Sequence, residues 1–386
     1  MYSTLVLLTP LSRVVVAEAL VLPVVEEFIS LGLDGQKNDL LVDTGTARSF
    51  AIHGPSYERL NGEGSCGKLR SGCYFCPREN PCEDILQRKR WRVAFGSGEY
   101  EYVEHTLTLT IGAAVIKDFT FGLAIKHSGV RCEPHGYLGL SFGRRSLPET
   151  VLEQLKRRGI IADLVYAIHI KGPMGSTSGV LSLGDAQLVG GESVKMDPRR
   201  PPELHRKPAV PLSMIQLVDI QGVLHLHAAV EGATAGDSTP MLVDSGLGVI
   251  DVPASVFDLI NLVMIDSLTQ EGSKISVGDR GHKEIIWEDN CGWVVVRDKH
   301  AKYLPDIVYC IGEGPDCIQL RIQPKHYIQN CNRGYCFLAV ARIPNRRALG
   351  LGQPLFRAYA IGFDLSRERF SFTAIEPGVE LPAEGN

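Results

Sequence analysis

Short apolar segments separated by Gly, Pro, Asn and Asp dominate the hydrophobic pattern of this chain. Residues 105–111 (HTLTLTI) alternate polar and apolar side chains with a period of two, and residues 178–183 (SGVLSL) do so less strictly. Alternation of this kind predicts strands that bury one face. The chain is therefore expected to be an all-β, or at least β-rich, protein with few short helices.

Two segments predict helices. Residues 146–149 (SLPE) have the pattern of a capping box with an early proline, which opens a helix that ends near Gly159. A second helix is expected from about Pro253 to Ser267. The side chains expected to face the core are Val151, Leu152 and Leu155 in the first helix, and Phe257, Ile260 and Val263 in the second.

One motif occurs twice, once in each half of the chain. Residues 40–45 read LLVDTG and residues 241–246 read MLVDSG, so each half places Asp-Thr/Ser-Gly after an apolar strand. Each copy is followed by an apolar-apolar-Gly segment, at 137–139 in the first half and at 348–352 in the second. This internal repeat predicts two related β lobes.

The two repeats supply a pair of carboxylates, Asp43 and Asp244. Two carboxylates held close together share one proton, so that one serves as base and the other as acid. Such a pair can hydrolyse a peptide bond with water and without a metal. The neighbouring residues would support it, because glycine lets the turn backbones approach and a hydroxyl can bond across to the opposite turn. These supporting residues are Thr44, Gly45, Thr46, Ser245 and Gly246.

Several further segments complete a resemblance to pepsin-like (A1-type) aspartic proteases, over nearly the whole chain from about residue 24. They are 28–32 (FISLG), 95–98 (FGSG), 121–123 (FGL), 136–140 (GYLGL), 351–357 (LGQPLFR), 363–364 (FD) and 370–372 (FSF). The resemblance implies a bilobal fold with a cleft between the lobes.

The same resemblance implies an aspartic endopeptidase, in which Asp43 and Asp244 activate a water against the peptide carbonyl. A flap over residues 93–100 would close on an extended peptide with bulky apolar side chains near the cut. The flap residues would include Phe95, Gly96, Ser97 and Gly98, and the large apolar pocket would be formed by Phe50, Phe95, Phe121 and Tyr137. A peptide or protein substrate is the expected partner, and no cofactor or metal is expected.

The chain departs from the family pattern at several positions. Phe95 stands where the flap usually has Tyr, and Phe50 replaces the Trp that usually bonds that Tyr hydroxyl. Thr46 keeps a hydroxyl after the first Asp turn, whereas Leu247 has none after the second, which predicts a less acidic pH optimum than that of gastric-type enzymes. Gln353 occupies a position that is commonly Asp. The alternative function is therefore a catalytically impaired protein that binds peptides or inhibits another enzyme.

Ten cysteines, five in each half, favour an oxidising compartment. Cys66, Cys73, Cys76 and Cys82 lie in an insertion that resembles those of nepenthesin-like and plasmepsin V-like members. Disulfides are favoured there, although the spacing Cys73-x-x-Cys76 also suits zinc. Cys310 and Cys317 are expected to close a hairpin, and the resemblance implies a bridge from Cys291 to Cys331 or Cys336. The odd count in each half predicts either one bridge between the lobes or two free thiols.

The predicted organisation has four parts. Residues 1–19 are a possible signal peptide, 20–195 the N-terminal lobe, 196–211 a connector and 212–386 the C-terminal lobe. The basic residues of the connector are expected to be solvated. A net charge of −4 gives no indication of nucleic-acid binding, and no apolar run is long enough to span a membrane. A monomer in the secretory pathway, extracellular or in an acidic lumen, is expected.

Overall fold

The computed structural model describes residues 19–129, 133–184, 191–197, 204, 207–227, 239–272, 285–289, 292–312, 317–344 and 348–375. The strands from the first half of the chain are β1 Leu20–Val24, β2 Phe28–Leu33, β3 Gln36–Asp43, β4 Phe50–Ile52, β5 Arg90–Phe95, β6 Gly98–Ile111, β7 Ala114–Ser128, β8 Gly136–Gly139, β9 Val165–Ile170, β10 Gly179–Leu183 and β11 Glu192–Lys195. The predicted signal segment, except Ala19, lies outside the described residues.

The strands from the second half are β12 Ala209–Val218, β13 Leu224–His227, β14 Thr239–Val243, β15 Ile250–Pro253, β16 Ile286–Glu288, β17 Val294–Arg297, β18 Asp306–Ile311, β19 Ile318–Ile322, β20 Ile328–Asn332, β21 Tyr335–Leu338, β22 Val340–Ile343, β23 Leu349–Leu351, β24 Tyr359–Asp364 and β25 Arg369–Ala374. The helices are α1 Gly54–Asn61, α2 Val151–Arg157, α3 Ala254–Gln270, α4 Pro324–Tyr327 and α5 Gln353–Ala358. Short 3₁₀ turns cover Ser65–Lys68, Ile85–Gln87 and Asp298–Tyr303.

The predicted strands and helices are confirmed, with one correction. The alternating segment 105–111 lies within β6 and segment 178–183 coincides with β10. The predicted inward faces of α2 and α3 are buried. The capping box, however, is formed one turn later than expected, by Thr150 and Glu153. The threonine hydroxyl accepts from the Glu153 N–H at 3.1 Å, and the glutamate accepts from the Thr150 N–H at 2.9 Å.

The internal repeat is visible in the sheet topology. In the first half the strand order runs β3-β8-β4-β7, and in the second half it runs β14-β23-β15-β22. In both runs the first pair is parallel, the second pair is a single antiparallel contact, and the third pair is parallel. Each apolar strand that leads to an Asp turn therefore lies beside the predicted apolar-Gly segment, β3 beside β8 and β14 beside β23.

A six-stranded sheet joins strands from the two ends of the chain, in the order β1-β10-β9-β24-β25-β11. Strand β24 pairs with β9 and thus connects the C-terminal residues to the first half. A contiguous core runs through this sheet and both halves, and it contains the fully buried rings of Tyr166 and Phe363, stacked at 4.5 Å between centroids. The two halves are therefore held together by shared apolar packing as well as by the chain connection.

Four disulfides form among the described cysteines. They join Cys66 to Cys73, Cys76 to Cys82, Cys310 to Cys317, and Cys331 to Cys336. The disulfides expected in the insertion and in the Cys310–Cys317 hairpin are confirmed. The expected bridge from Cys291 to Cys331 or Cys336 is wrong, because those two cysteines lie opposite one another on β20 and β21 and bond to each other. Cys132 and Cys291 lie outside the described residues.

Candidate active site

Each Asp turn follows a strand that is held in a parallel pair. Asp43 ends β3, where its carbonyl accepts a hydrogen bond from the N–H of Leu140 at 2.9 Å. Asp244 directly follows β14, and its N–H donates to the carbonyl of Leu351 at 3.0 Å. The residue that follows β8 thus fixes the backbone of Asp43, and the last residue of β23 fixes the backbone of Asp244.

Crossed hydrogen bonds join the two turns. The Thr44 hydroxyl donates to the carbonyl of Val243 at 2.9 Å and accepts from the N–H of Ser245 at 3.0 Å. The Ser245 hydroxyl donates to the carbonyl of Val42 at 2.7 Å and accepts from the N–H of Thr44 at 3.1 Å. All four bonds are buried, so the two halves are held in one register by directional contacts whose loss is costly.

The two glycines bring the carboxylates together. A Cβ atom added to Gly45 would lie 2.6 Å from Cγ of Asp244, and one added to Gly246 would lie 2.9 Å from Cγ of Asp43. Real Cβ atoms do not approach other atoms this closely, so only glycine leaves room for the carboxylate of the opposite turn. Asp43 and Asp244 both line one cavity.

Backbone donors orient the carboxylates. One oxygen of Asp43 accepts from the N–H groups of Gly45 and Thr46, at 2.7 and 3.0 Å. One oxygen of Asp244 accepts from the N–H of Gly246 at 2.9 Å. The hydroxyl of Thr46, which was expected to support Asp43, instead accepts from the N–H of Arg48 at 3.2 Å.

The carboxylates share an environment that disfavours two negative charges. Burial raises the pKa of Asp43 well above its ordinary value, and the charge of Asp244 raises it further. Burial also raises the pKa of Asp244, although the N–H of Gly246 and the charge of Lys207 oppose the rise. Both effects favour a state in which the pair shares one proton.

Lys207 is a residue of this site that sequence reasoning missed. It was expected on a solvated connector, but the structure places it half-buried in the lining of the cavity that contains Asp43 and Asp244. Its charge lowers the pKa of both carboxyl groups, against the larger effect of burial. The sequence gives no signal for this placement, because it depends on how the chain enters β12.

The predicted flap is a hairpin of β5 and β6, with Gly96 and Ser97 at its turn and Gly98 opening β6. The ring of Phe95 stacks on that of Tyr137 at 4.3 Å between centroids and 9° between planes. This aromatic stacking holds the end of β5 against the first half of the molecule.

The aromatic residues expected to form an open pocket are packed against one another instead. Phe50 and Tyr137 are buried in one cluster with Tyr100 and Tyr102, and Phe121 is buried in the main core. The cavity beside the carboxylates has a volume of about 340 Å³ and is lined by Phe95 but not by Phe50, Phe121 or Tyr137. In this structure the expected large apolar pocket is filled by its own side chains.

Among the described residues, one group of three His, Cys, Asp or Glu side chains lies close enough together to hold a metal ion, and it joins His53 to two cysteines of the insertion. The Nε2 atom of His53 lies 3.6 Å from Sγ of Cys82 and 3.9 Å from Sγ of Cys76. Those two sulfurs are bonded to each other, and Cys73 is bonded to Cys66. Cys73 and Cys76 therefore each belong to a disulfide and do not provide a pair of thiolate ligands.

Comparisons with known proteins agree with this architecture. The sequence model described as eukaryotic aspartyl protease matches residues 27–375. Among solved structures, the aspartic proteinase from Irpex lacteus is similar, with a TM-score of 0.65 and 16% identity over 92% of this chain and 97% of that chain. That likeness supports the bilobal fold. A comparison with curated protein sequences finds no match.

Proposed function

Because this chain belongs to the eukaryotic aspartyl protease family, we propose that it is an aspartic endopeptidase with Asp43 and Asp244 as its catalytic residues. The observation that carries this proposal is the crossed set of hydrogen bonds between Thr44 and Ser245, which holds the two Asp turns against each other. The raised pKa of both carboxyl groups supports it, because the pair can then supply one acid and one base.

In the proposed reaction the ionised carboxylate takes a proton from a water held between the two acids. The water oxygen bonds to the carbonyl carbon of the peptide, while the protonated carboxyl group gives its proton to the carbonyl oxygen. The proton taken from water then passes to the amide nitrogen and the C–N bond breaks. One hydroxyl of the diol returns its proton to the other carboxylate, which leaves a carboxylic acid, an amine and the singly protonated pair. The flap would exclude bulk water and hold the peptide as an extended strand.

The substrate class is an extended peptide, and the compartment proposed is the secretory pathway. The four disulfides fit an oxidising environment. Among the helices of the described residues, none has the length and apolar character needed to cross a bilayer. A monomer suffices for the proposed chemistry, since both carboxylates come from one chain.

Cleavage of a quenched peptide library between about pH 3 and pH 7, with and without pepstatin, tests the proposal. We expect pepstatin-sensitive turnover that is reduced at least about a thousandfold in Asp43→Asn and in Asp244→Asn. The matched control is Asp258→Asn, since this residue lies exposed on α3. Full activity in either catalytic-site variant would refute the assignment. Peptide binding without turnover in the unaltered chain would favour the non-catalytic alternative.

A further inference from the structure

Four cationic residues belong to the lining of the cavity beside Asp43 and Asp244. They are Arg48, Arg92, Arg144 and Lys207. Among the described lining residues, the only acidic ones are the two aspartates themselves. If these aspartates share a proton, as the proposed function requires, the positive charges of the lining outnumber the negative ones.

The cations come from four separate segments of the chain. Arg48 lies in the turn after Asp43, Arg92 lies on β5 of the flap hairpin, and Arg144 follows β8. Lys207 immediately precedes β12. Because four distant segments each contribute a cationic residue to the lining of one cavity, the concentration of charge belongs to the cavity rather than to one solvated helix or strand face.

Arg48 is the cation that most needs a further partner. Its Nη1 atom is buried and has no hydrogen-bond partner among the described residues. Burial lowers the pKa of Arg48, and so does the charge of Arg144, although Tyr102 and Glu104 oppose this. Glu104 is the nearby anion that acts on the charge of Arg48, and one of its carboxylate oxygens also accepts from the indole N–H of Trp91 at 3.2 Å. A buried guanidinium N–H without an acceptor is unfavourable, and an anion supplies the acceptor.

Arg92 can also respond to an anion. Its side chain is 80% exposed and forms an ion pair with Glu101 at 2.8 Å. Glu101 is only 14% exposed, but the arginine end of the pair lies in solvent, where ion pairs contribute little free energy. Since Arg92 belongs to the flap hairpin, its place in the cavity lining would change when the flap closes on a peptide.

We propose that this cavity binds the carboxylate of an Asp or Glu side chain of the substrate, so that the enzyme prefers peptides with an acidic residue near the scissile bond. This inference rests on the proposed function. The apolar lining residues Phe95, Phe142 and Leu147 would contact the methylene groups of that side chain. The family resemblance implies a preference for bulky apolar residues near the cut, and this proposal adds a preference for one acidic residue.

The test uses a set of peptides that differ only by Glu, Gln or Lys at one position, scanned along both sides of the cut. At one position we expect kcat/KM for Glu to exceed that for Gln by about tenfold, and that for Lys by more. High salt should reduce the preference, because a partly exposed charge pair is screened.

Two substitutions locate the effect. Arg48→Gln is expected to reduce the Glu-over-Gln preference to within about twofold, whereas the matched control Arg342→Gln should retain it. Arg342 is an exposed arginine paired with Asp258, outside the cavity lining. Circular dichroism and melting temperature verify that both variants are folded. An unchanged preference in Arg48→Gln would overturn the role of this cavity.

Fluorescence anisotropy of the same peptides bound to Asp43→Asn separates the two proposals, because it requires no turnover. Cleavage with no preference for Glu at any position would overturn this inference and leave the protease function standing. Tighter binding of Glu peptides that depends on Arg48, with no cleavage by the unaltered chain, would support the cavity and refute the protease function. Equal binding of Glu and Gln peptides would overturn the inference.

Discussion

The two Asp turns have the same topology but differ in what supports them. Asp43 accepts two backbone N–H bonds, whereas Asp244 accepts one from its own turn. At the position of Thr46 the second half has Leu247, whose N–H donates to the backbone carbonyl of Asp244 at 3.2 Å. Gln353 compensates in the second half, because its side-chain amide donates to the carbonyl of Ser245.

The comparison teaches that symmetry is strict only where the two halves meet. The crossed bonds of Thr44 and Ser245 are equivalent in both directions, since each hydroxyl spans the interface. Away from the interface each half uses its own residues. Gly139 donates to the Ser49 hydroxyl at 2.9 Å, while Gly350 donates to the Asp251 carboxylate at the same distance.

The strongest test of this comparison replaces each turn glycine with alanine. Gly45→Ala is expected to lower kcat at least about a hundredfold, because the added methyl displaces the carboxylate of Asp244. Gly246→Ala should have a smaller effect, since its contacts with Asp43 are longer. Single-turnover kinetics on folded protein gives the answer.

The matched control for both glycines is Gly248→Ala, because a Cβ there meets no atom within 4 Å. Its activity should be near that of the unaltered chain. If Gly246→Ala were more damaging than Gly45→Ala, the order of crowding at the two turns would be wrong.

The next test removes one hydroxyl from the crossed bonds. Thr44→Val and Ser245→Ala each leave one buried N–H and one buried carbonyl unpaired, which should cost about 4 kcal/mol of unfolding free energy in either case. Denaturant unfolding measures the loss. Thr106→Val is the control, because its side chain is exposed on β6. Clearly unequal losses would contradict the symmetry of the interface.

A smaller effect concerns stability at acidic pH, where the two halves differ in how deeply a histidine is buried. Burial, then the charges of Arg59 and His105, lowers the pKa of His53 from 6.5 to about 4. As the pH falls, this histidine is protonated in the unfolded chain before it is protonated in the folded state. The free energy of unfolding therefore decreases by up to about 3 kcal/mol between pH 7 and pH 4.

His53→Gln should therefore flatten the dependence of melting temperature on pH over that range. His326→Gln, in the second half, should flatten it less. Burial also lowers the pKa of His326 to about 4, but this residue is only half-buried and thus better screened. Equal slopes for His53→Gln and the unaltered chain would show that His53 does not titrate as stated.

The smallest expected effect is on the pH–rate profile. The structure assigns support of Asp43 to the N–H of Thr46 rather than to its hydroxyl. Thr46→Val and Leu247→Thr should therefore each move the acidic limb of kcat/KM by less than about 0.5 pH unit. The optimum of the unaltered chain should lie well above pH 2, because burial raises the pKa of both aspartates. A larger shift in Leu247→Thr would restore the hydroxyl explanation.

Short sequence motifs and hydrophobic periodicity were sufficient to predict the features that depend on neighbouring residues in the chain. The repeated Asp turns, their apolar-Gly partners and helix α3 follow from short motifs and periodicity, and the structure places them as expected. Helix α3 is longer than predicted, 17 residues, because the residues after Ser267 continue its apolar face with Leu268.

The features that were missed depend on contacts between distant segments. The position of Lys207 is set by the path of the chain into β12, and the partner of Cys331 is set by the pairing of β20 with β21. Whether Phe50 and Tyr137 enclose a pocket or fill it depends on the ring of Phe95, which arrives from the flap. No periodicity along the chain contains that information.

The sheet that joins both chain ends has a consequence for biosynthesis. Strand β9 leaves the ribosome almost two hundred residues before its partner β24. Until then its inner edge has unpaired backbone groups and exposed apolar side chains, which are prone to aggregate. Contacts of such high sequence separation also form slowly. Nascent chains should accordingly depend on chaperones until the last strands emerge, and truncation before residue 359 should leave the first half insoluble.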